Sequence, residues 1–89
     1  MKEESIEKIA KALGDATRIK ILSEISKKGS LTCSEAEKVA DLSQPTVSHH
    51  INILIEAGLL DAEKEGRFSR LTVNRKKMEY FALYLKDLG

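Results

Sequence analysis

The feature that most constrains this fold is a change of apolar periodicity at Gly58. Before it, apolar residues recur three or four positions apart, which is typical of amphipathic helices. After it, segments 59–64 and 67–73 alternate apolar with polar residues, which is typical of strands that bury one face. The Glu65-Gly66 pair between them favours a tight turn. The pattern therefore predicts a mainly helical fold with one small β-hairpin.

The same turn sets the expected pairing of the two strands. A turn at 65–66 would place Lys64 opposite Arg67 and Leu60 opposite Leu71. The two leucines would then share the buried face of the hairpin. We therefore expect one face of the hairpin to cover the core while the other remains in solvent.

Five helical segments surround the hairpin in the sequence. Asp15 can cap the second segment, which ends at Gly29, a residue suited to the left-handed position after a helix. Ser34 followed by Glu37 predicts a capping box for the third, after an extended connector at 30–32. Ser43 is the predicted cap of the fourth, which Pro45 follows in the first turn. The segments are 4–13, 15–28, 34–41, 43–58 and 75–88.

The order of these elements predicts the architecture. A short helix, a three-residue turn and a longer helix with a polar start form a helix-turn-helix, and a hairpin directly after it is a wing. The 89 residues suffice for one small domain, so we predict a single winged helix-turn-helix, α-α-α-α-β-β-α, over residues 1–89. A core of this size is thin, and such domains often gain stability by self-association.

The helix that begins at Ser43 carries the strongest functional indication. Val47, Ile51 and Leu54 form its apolar stripe, and no carboxylate occurs before Glu56. Its other face carries short polar side chains, which can hydrogen-bond to base edges in the major groove, while the helix start can bind a phosphate. An ordinary solvated polar face is the alternative. The candidate DNA-contacting residues here are Ser43, Gln44, Thr46, Ser48, His49 and Asn52.

The wing supplies the second indication through its local charge. The chain as a whole has a net charge of +1, which alone argues against a strongly basic nucleic-acid binder. Residues 64–77, however, carry six basic side chains and one acidic side chain. We expect Lys64, Arg67 and Arg70 to bind the DNA backbone. The alternative is that these charges only protect the exposed edge of the hairpin.

Four stretches of the chain resemble the ArsR/SmtB family of bacterial and archaeal winged-helix repressors. The most specific is LSQPTVSHH at 42–50, which precedes EAGLL at 56–60. The other two are GDATRIKIL at 14–22 and EGR at 65–67. The resemblance covers about residues 5–75.

This resemblance implies a homodimeric, sequence-specific repressor of transcription that binds a palindromic operator in double-stranded DNA. Each protomer would place its recognition helix in one half of the operator. The dimer would be built from the first and last helices, at about 4–13 and 75–88, whose apolar stripes are the matching surfaces. The candidate dimer residues are Ile6, Ile9, Leu13, Met78, Phe81 and Leu85.

The resemblance extends less well to metal sensing. Many family members bind a metal through a Cys-x-Cys pair, whose positions fall on Thr32 and Ser34 here. Others bind zinc through Asp and His on the last helix, which here has Glu79 and Asp87 but no histidine. We therefore predict neither a metal site nor a cofactor, and the inducer stays unidentified. Cys33 is predicted to pack in the core, with a redox or effector role as the alternative.

Other functional classes fit the sequence poorly. No apolar run approaches the roughly 18–20 residues that span a bilayer, and the N-terminus lacks the apolar core of a signal peptide. The single cysteine excludes an internal disulfide and fits a reducing cytoplasm. An enzyme built on Cys33 and His49 would need an orienting group and an oxyanion site that nothing marks, so we predict no enzyme. The competing interpretation is a winged helix that binds another protein instead of DNA.

Overall fold

The computed structural model describes the backbone of residues 3–89 and the side chains of residues 5–89. The elements follow the predicted order, with one additional short strand before the third helix. They are α1 (Glu3–Ala12), α2 (Ala16–Lys28), β1 (Leu31–Thr32), α3 (Cys33–Ala40), α4 (Gln44–Glu56), β2 (Leu60–Glu65), β3 (Phe68–Val73) and α5 (Arg75–Leu88). The predicted winged helix-turn-helix is confirmed, with α3 and α4 as the helix-turn-helix and the β2–β3 hairpin as the wing.

The start and end of α2 follow directly from its flanking residues. The Asp15 carboxylate accepts hydrogen bonds from the backbone nitrogens of Thr17 at 2.8 Å and Arg18 at 3.2 Å. These bonds satisfy amides that the first turn of a helix leaves without intrahelical partners. Gly29 follows the helix with φ 87°, a conformation in which a side chain would be strained. Both predicted boundaries are confirmed.

The cap of α3 differs from the prediction. Thr32, rather than Ser34, occupies the N-cap, and its hydroxyl accepts a hydrogen bond from the backbone nitrogen of Glu35 at 3.2 Å. The Glu35 carboxylate accepts one in return from the Thr32 backbone nitrogen at 2.8 Å. The capping box lies two residues earlier because Thr32 is the last residue of β1, and its extended backbone suits the N-cap position.

The sheet contains three antiparallel strands in the order β1-β3-β2, so β3 is central. The predicted connector at 30–32 therefore supplies a strand, with Leu31 opposite Leu71. The predicted hairpin register is wrong by two residues, because the turn falls at Gly66-Arg67 and Leu60 lies opposite Val73. Gly66 takes φ 60° there. A shift by two keeps every side chain on its predicted face, and Leu60 remains buried.

The core lies between the first four helices and the inner face of the sheet. Val47, Ile51 and Leu54 anchor α4 in it, as their spacing predicts. Ile19, in contrast, belongs to the apolar pattern of α2 but is 47% exposed. No helix among residues 3–89 is long and apolar enough to cross a membrane. The largest fully buried side chains are Ile9, Ile21, Ile25, Leu31, Val47, Leu54, Leu59, Leu60 and Leu71.

The two terminal helices differ in how much of their apolar surface the chain buries. On α1, Ile9 is fully buried and Ile6 nearly so, while Leu13 packs partly against the core. The prediction that Ile9 lies at a dimer surface is wrong for this conformation, because α1 packs on α4 and leaves Ile9 no exposed surface. On α5 no residue is buried. Its Leu85 is half exposed, and Phe81 is partly buried.

Candidate nucleic-acid interface

The recognition helix α4 separates an anchored face from a polar face. Its buried stripe fixes the rotation of the helix, so the polar face opposite the stripe is exposed to solvent, while Ile53 and Ile55 pack partly against the core. Residues 43–55 carry no formal charge, and the first turn contains no acidic side chain. All of the predicted contact residues on this segment are exposed, namely Ser43, Gln44, Thr46, Ser48, His49 and Asn52.

The start of α4 carries no side-chain cap. Ser43 has the extended backbone of an N-cap residue, but its side chain accepts no hydrogen bond from the helix amides. Its Oγ lies 3.0 Å from Oγ1 of Thr46 instead, so the predicted N-cap position of Ser43 is confirmed, without a capping bond from its side chain. The first-turn amides are therefore left without a side-chain cap, and Pro45 in this turn has no N–H. Such a helix start favours an anion.

The wing carries two exposed cations and one that is engaged internally. Lys64 and Arg67 are exposed near the hairpin turn. Arg70, predicted to bind the DNA backbone, instead donates from Nε to Oε2 of Glu65 at 2.7 Å and from a terminal nitrogen to Oγ of Ser30 at 2.9 Å. Because both bonds orient its guanidinium toward the protein, Arg70 holds the wing to the segment after α2. Its side chain is still 40% exposed, and direct DNA contact by Arg70 stays a prediction.

Two residues of this region carried no role in the sequence prediction. Phe68 lies beside Arg67 at the wing tip and is 59% exposed, although aromatic side chains are usually buried. Arg18 donates a hydrogen bond to Nδ1 of His50 at 3.1 Å, across 32 positions of the chain. The strand alternation places Phe68 on an outer face, whereas no local pattern could pair Arg18 with His50.

Cys33 lies in a cleft between α3, α4 and the wing. The cleft is also lined by Ser48, Asn52 and Ser69. Burial raises the pKa of the Cys33 thiol, and the nearby carboxylate of Glu37 raises it further. A raised pKa disfavours the thiolate, which is the form that reacts with oxidants and binds metals. The geometry therefore favours the packing role for this thiol.

The positions of the family's Cys-x-Cys pair do not fit a thiolate-bound metal. The Thr32 hydroxyl caps α3, and Ser34 offers a second hydroxyl in place of a thiolate. Neutral hydroxyls are poor ligands for the thiophilic ions that a cysteine pair selects. Within residues 5–89, no three His, Cys, Asp or Glu side chains are grouped as a metal ion would require.

A polar, uncharged recognition helix followed by a hairpin with exposed Lys64 and Arg67 at its tip defines a winged helix-turn-helix of the DNA-binding type. Comparison with known proteins agrees. The family model described as "Helix-turn-helix domain" matches residues 13–63. An uncharacterized HTH-type transcriptional regulator of Methanocaldococcus jannaschii is 41% identical over 68 residues, which cover 76% of each chain. The transcriptional repressor SdpR of Bacillus subtilis is 35% identical over 66 residues, covering 74% of this chain and 72% of that protein.

Solved structures extend the likeness to nearly the whole chain. An ArsR-like transcriptional regulator from Rhodococcus sp. RHA1 superimposes with a TM-score of 0.87 at 25% identity, covering 98% of this chain and 81% of that one. A homodimeric winged helix-turn-helix DNA-binding domain from Mycobacterium bovis has the same fold, with a TM-score of 0.78 at 21% identity, over 96% and 79% of the two chains. This chain belongs to the ArsR family of winged helix-turn-helix, DNA-binding transcriptional regulators.

Proposed function

We propose that this regulator is a homodimeric repressor that binds a palindromic operator through α4 and the wing. The observation that carries the proposal is the face of α4, where every predicted contact residue is exposed and none is charged. Hydrogen-bonding groups without formal charge suit the reading of base edges, since a carboxylate would repel the phosphates. The similarity to a transcriptional repressor from Bacillus subtilis supports repression rather than activation.

The contacts divide into those that read sequence and those that bind the backbone. The start of α4 at Ser43 binds one phosphate through its uncapped amides. Lys64 and Arg67 neutralise backbone phosphates from the wing. Arg70 acts indirectly, because it holds the wing in place. The residues that meet base edges and the phosphates beside them are Gln44, Thr46, Ser48, His49 and Asn52.

The dimer uses α5 as its main surface. Met78 and Leu85 expose apolar side chains that a second copy of the helix can cover, and Phe81 joins this face with the core. The exposed edge of α1 beside Ile6 and Leu13 borders the same interface, without Ile9. The homodimeric relative from Mycobacterium bovis, which has the same fold, supports this assembly. A two-fold dimer presents two recognition helices, which suits a palindromic site.

Repression follows from occupancy of a promoter in the cytoplasm and needs no catalytic step. The competing function is a protein-interaction module, and salt separates the two. A duplex is selected by the purified protein from a randomised DNA pool, and its affinity is measured between low and physiological salt. We expect affinity to fall steeply with salt, since bound phosphates release counterions. A winged helix that selects no duplex, or binds DNA without salt dependence, contradicts the DNA assignment.

Variants then separate the two kinds of contact. Arg67→Ala is expected to weaken all duplexes similarly and to reduce the salt slope by about one. Gln44→Ala or His49→Ala is expected to reduce discrimination between selected and random duplexes by about 1–3 kcal/mol. Lys27→Ala, which removes an exposed cation beside α5, is the matched control and is expected to change neither. Equal losses on both duplexes for all three DNA-facing variants would contradict the division of roles.

A further inference from the structure

Arg18 connects the end of α1 to the middle of the recognition helix. Its Nε donates to the carbonyl oxygen of Ala12 at 2.8 Å, and one terminal nitrogen donates to that of Lys11 at 3.1 Å. The other terminal nitrogen lies 3.1 Å from Nδ1 of His50 on α4. The Lys11 carbonyl also accepts from the Gly14 backbone nitrogen at 3.1 Å, so Arg18 adds a second bond there. One planar guanidinium thus binds two carbonyls at the end of α1 and also contacts the helix that faces DNA.

This contact determines which ring nitrogen of His50 carries the proton. A guanidinium only donates hydrogen bonds, so Nδ1 of His50 must accept, and the neutral ring then carries its proton on Nε2. Within residues 5–89, no side-chain nitrogen or oxygen is buried without a hydrogen-bond partner. Arg18 is the hydrogen-bond partner found for His50. The Nε2–H group therefore reaches solvent as an available donor.

We propose that Arg18 is a positioning residue for DNA binding, which orients α4 through His50 and fixes the Nε2–H of His50 as a donor to a DNA phosphate. The proposal rests on the proposed function, in which α4 faces the DNA. His50 is half-buried at the flank of the polar face, next to the exposed His49. A donor at the flank of a recognition helix meets the backbone beside the groove rather than the base edges within it.

The first test compares two charge-removing substitutions on the same helix. Arg18→Met removes all three bonds and keeps a long apolar side chain, while Lys20→Met removes an exposed cation of the same sign. On a duplex selected by the wild-type protein, we expect Arg18→Met to bind about tenfold more weakly, the order of one lost hydrogen bond. Lys20→Met is expected to stay within about twofold at matched salt. Equal affinities for the two variants would overturn the proposal.

The second test asks whether Arg18 acts through His50. His50→Leu removes the acceptor and the donor together, so Arg18→Met in that background is expected to cause no further loss of affinity. His50→Asn places an amide oxygen where Nδ1 lies, so it can still accept from Arg18 while lacking the Nε2 donor. We expect His50→Asn to unfold at the wild-type temperature and to bind DNA more weakly. Additive losses from Arg18→Met and His50→Leu would overturn the role through His50.

The third test observes the ring directly and requires no variant to fold. In the wild-type protein, the ¹⁵N shifts of the His50 ring are expected to show a single tautomer, with the proton on Nε2. The exposed ring of His49, whose centroid lies 6.0 Å away, is the internal reference and is expected to show averaged forms. Identical averaged shifts for the two rings would overturn the proposal. If the wild-type protein selects no duplex, the proposed DNA-binding function itself is contradicted, and the role of Arg18 in DNA binding is contradicted with it.

Discussion

The helices α1 and α5 have the same kind of apolar stripe, but the fold buries that of α1 and leaves that of α5 largely exposed. From the sequence, both helices are predicted to form the dimer interface. The structure buries Ile9 of α1 completely, while α5 has no buried residue and leaves Leu85 half exposed. The periodicity of a helix therefore identifies its apolar face, but not whether that face packs within the chain or against another copy.

The connections of the two helices explain this difference. A short turn follows α1, and Arg18 near the start of α2 holds its end through hydrogen bonds to the carbonyl oxygens of Ala12 and Lys11. These bonds direct α1 back across α4. The helix α5 follows the last strand and contacts the core mainly through Tyr80 and Phe81. Its later turns lie beyond the core, along a molecule that measures 41 × 23 × 22 Å.

The largest effect is expected in the buried helix. Ile9→Ala removes a fully buried side chain from the core and should lower the free energy of unfolding by about 2–5 kcal/mol. Denaturant unfolding monitored by circular dichroism measures this loss. Leu85→Ala, the matched truncation on α5, should cost much less in a monomeric sample. Similar losses at both positions would remove the distinction between the helices.

The next effect concerns association rather than folding. Leu85→Glu places a carboxylate on the exposed apolar face of α5, so the proposed dimer should dissociate about tenfold more readily. Sedimentation velocity over a concentration series measures the dissociation constant, and far-ultraviolet circular dichroism checks that the monomer keeps its helices. Lys86→Glu, on the same helix, serves as the charge control. If the Leu85→Glu protein stays dimeric, the dimer interface does not include this face of α5.

The smallest effect is a pH dependence at the N-cap of α2, directly after the turn that follows α1. The hydrogen bond from the Arg18 backbone, assisted by that from Thr17, lowers the pKa of Asp15 below its ordinary value of 3.8. The folded form thus binds the Asp15 proton less tightly than the unfolded form. Stability from this group is complete above about pH 4 and is lost as pH falls through the lowered value.

Asp15→Asn keeps an acceptor at this cap but does not titrate. We therefore expect the melting temperature of the wild-type protein to fall slightly more between pH 6 and pH 3 than that of the variant. Scanning calorimetry at the two pH values measures the difference. An equal fall in both proteins would show that this carboxylate contributes nothing to acid sensitivity.

Sequence reasoning worked where the controlling interactions are local. The stripe of α4 and the cap at Asp15 depend on neighbours within one or two helical turns, and both are confirmed. It failed where the partner is distant. The strand at Leu31 exists because it pairs with β3, about 40 positions away, and the bond from Arg18 to His50 crosses 32. The observed hairpin register differs from the predicted one because Gly66, which takes positive φ, is the first residue of the turn rather than the second.

The three-stranded sheet has a consequence for how this protein can associate at high concentration. Because β3 is paired on both sides, β2 is the long open edge, a place where another strand could add. Five of its six residues are exposed, and their alternation of carboxylates with one lysine opposes the addition of a like strand. Fibre-like stacking through the wing is therefore disfavoured, and the outer edge of the hairpin stays open to solvent even where protein molecules crowd together.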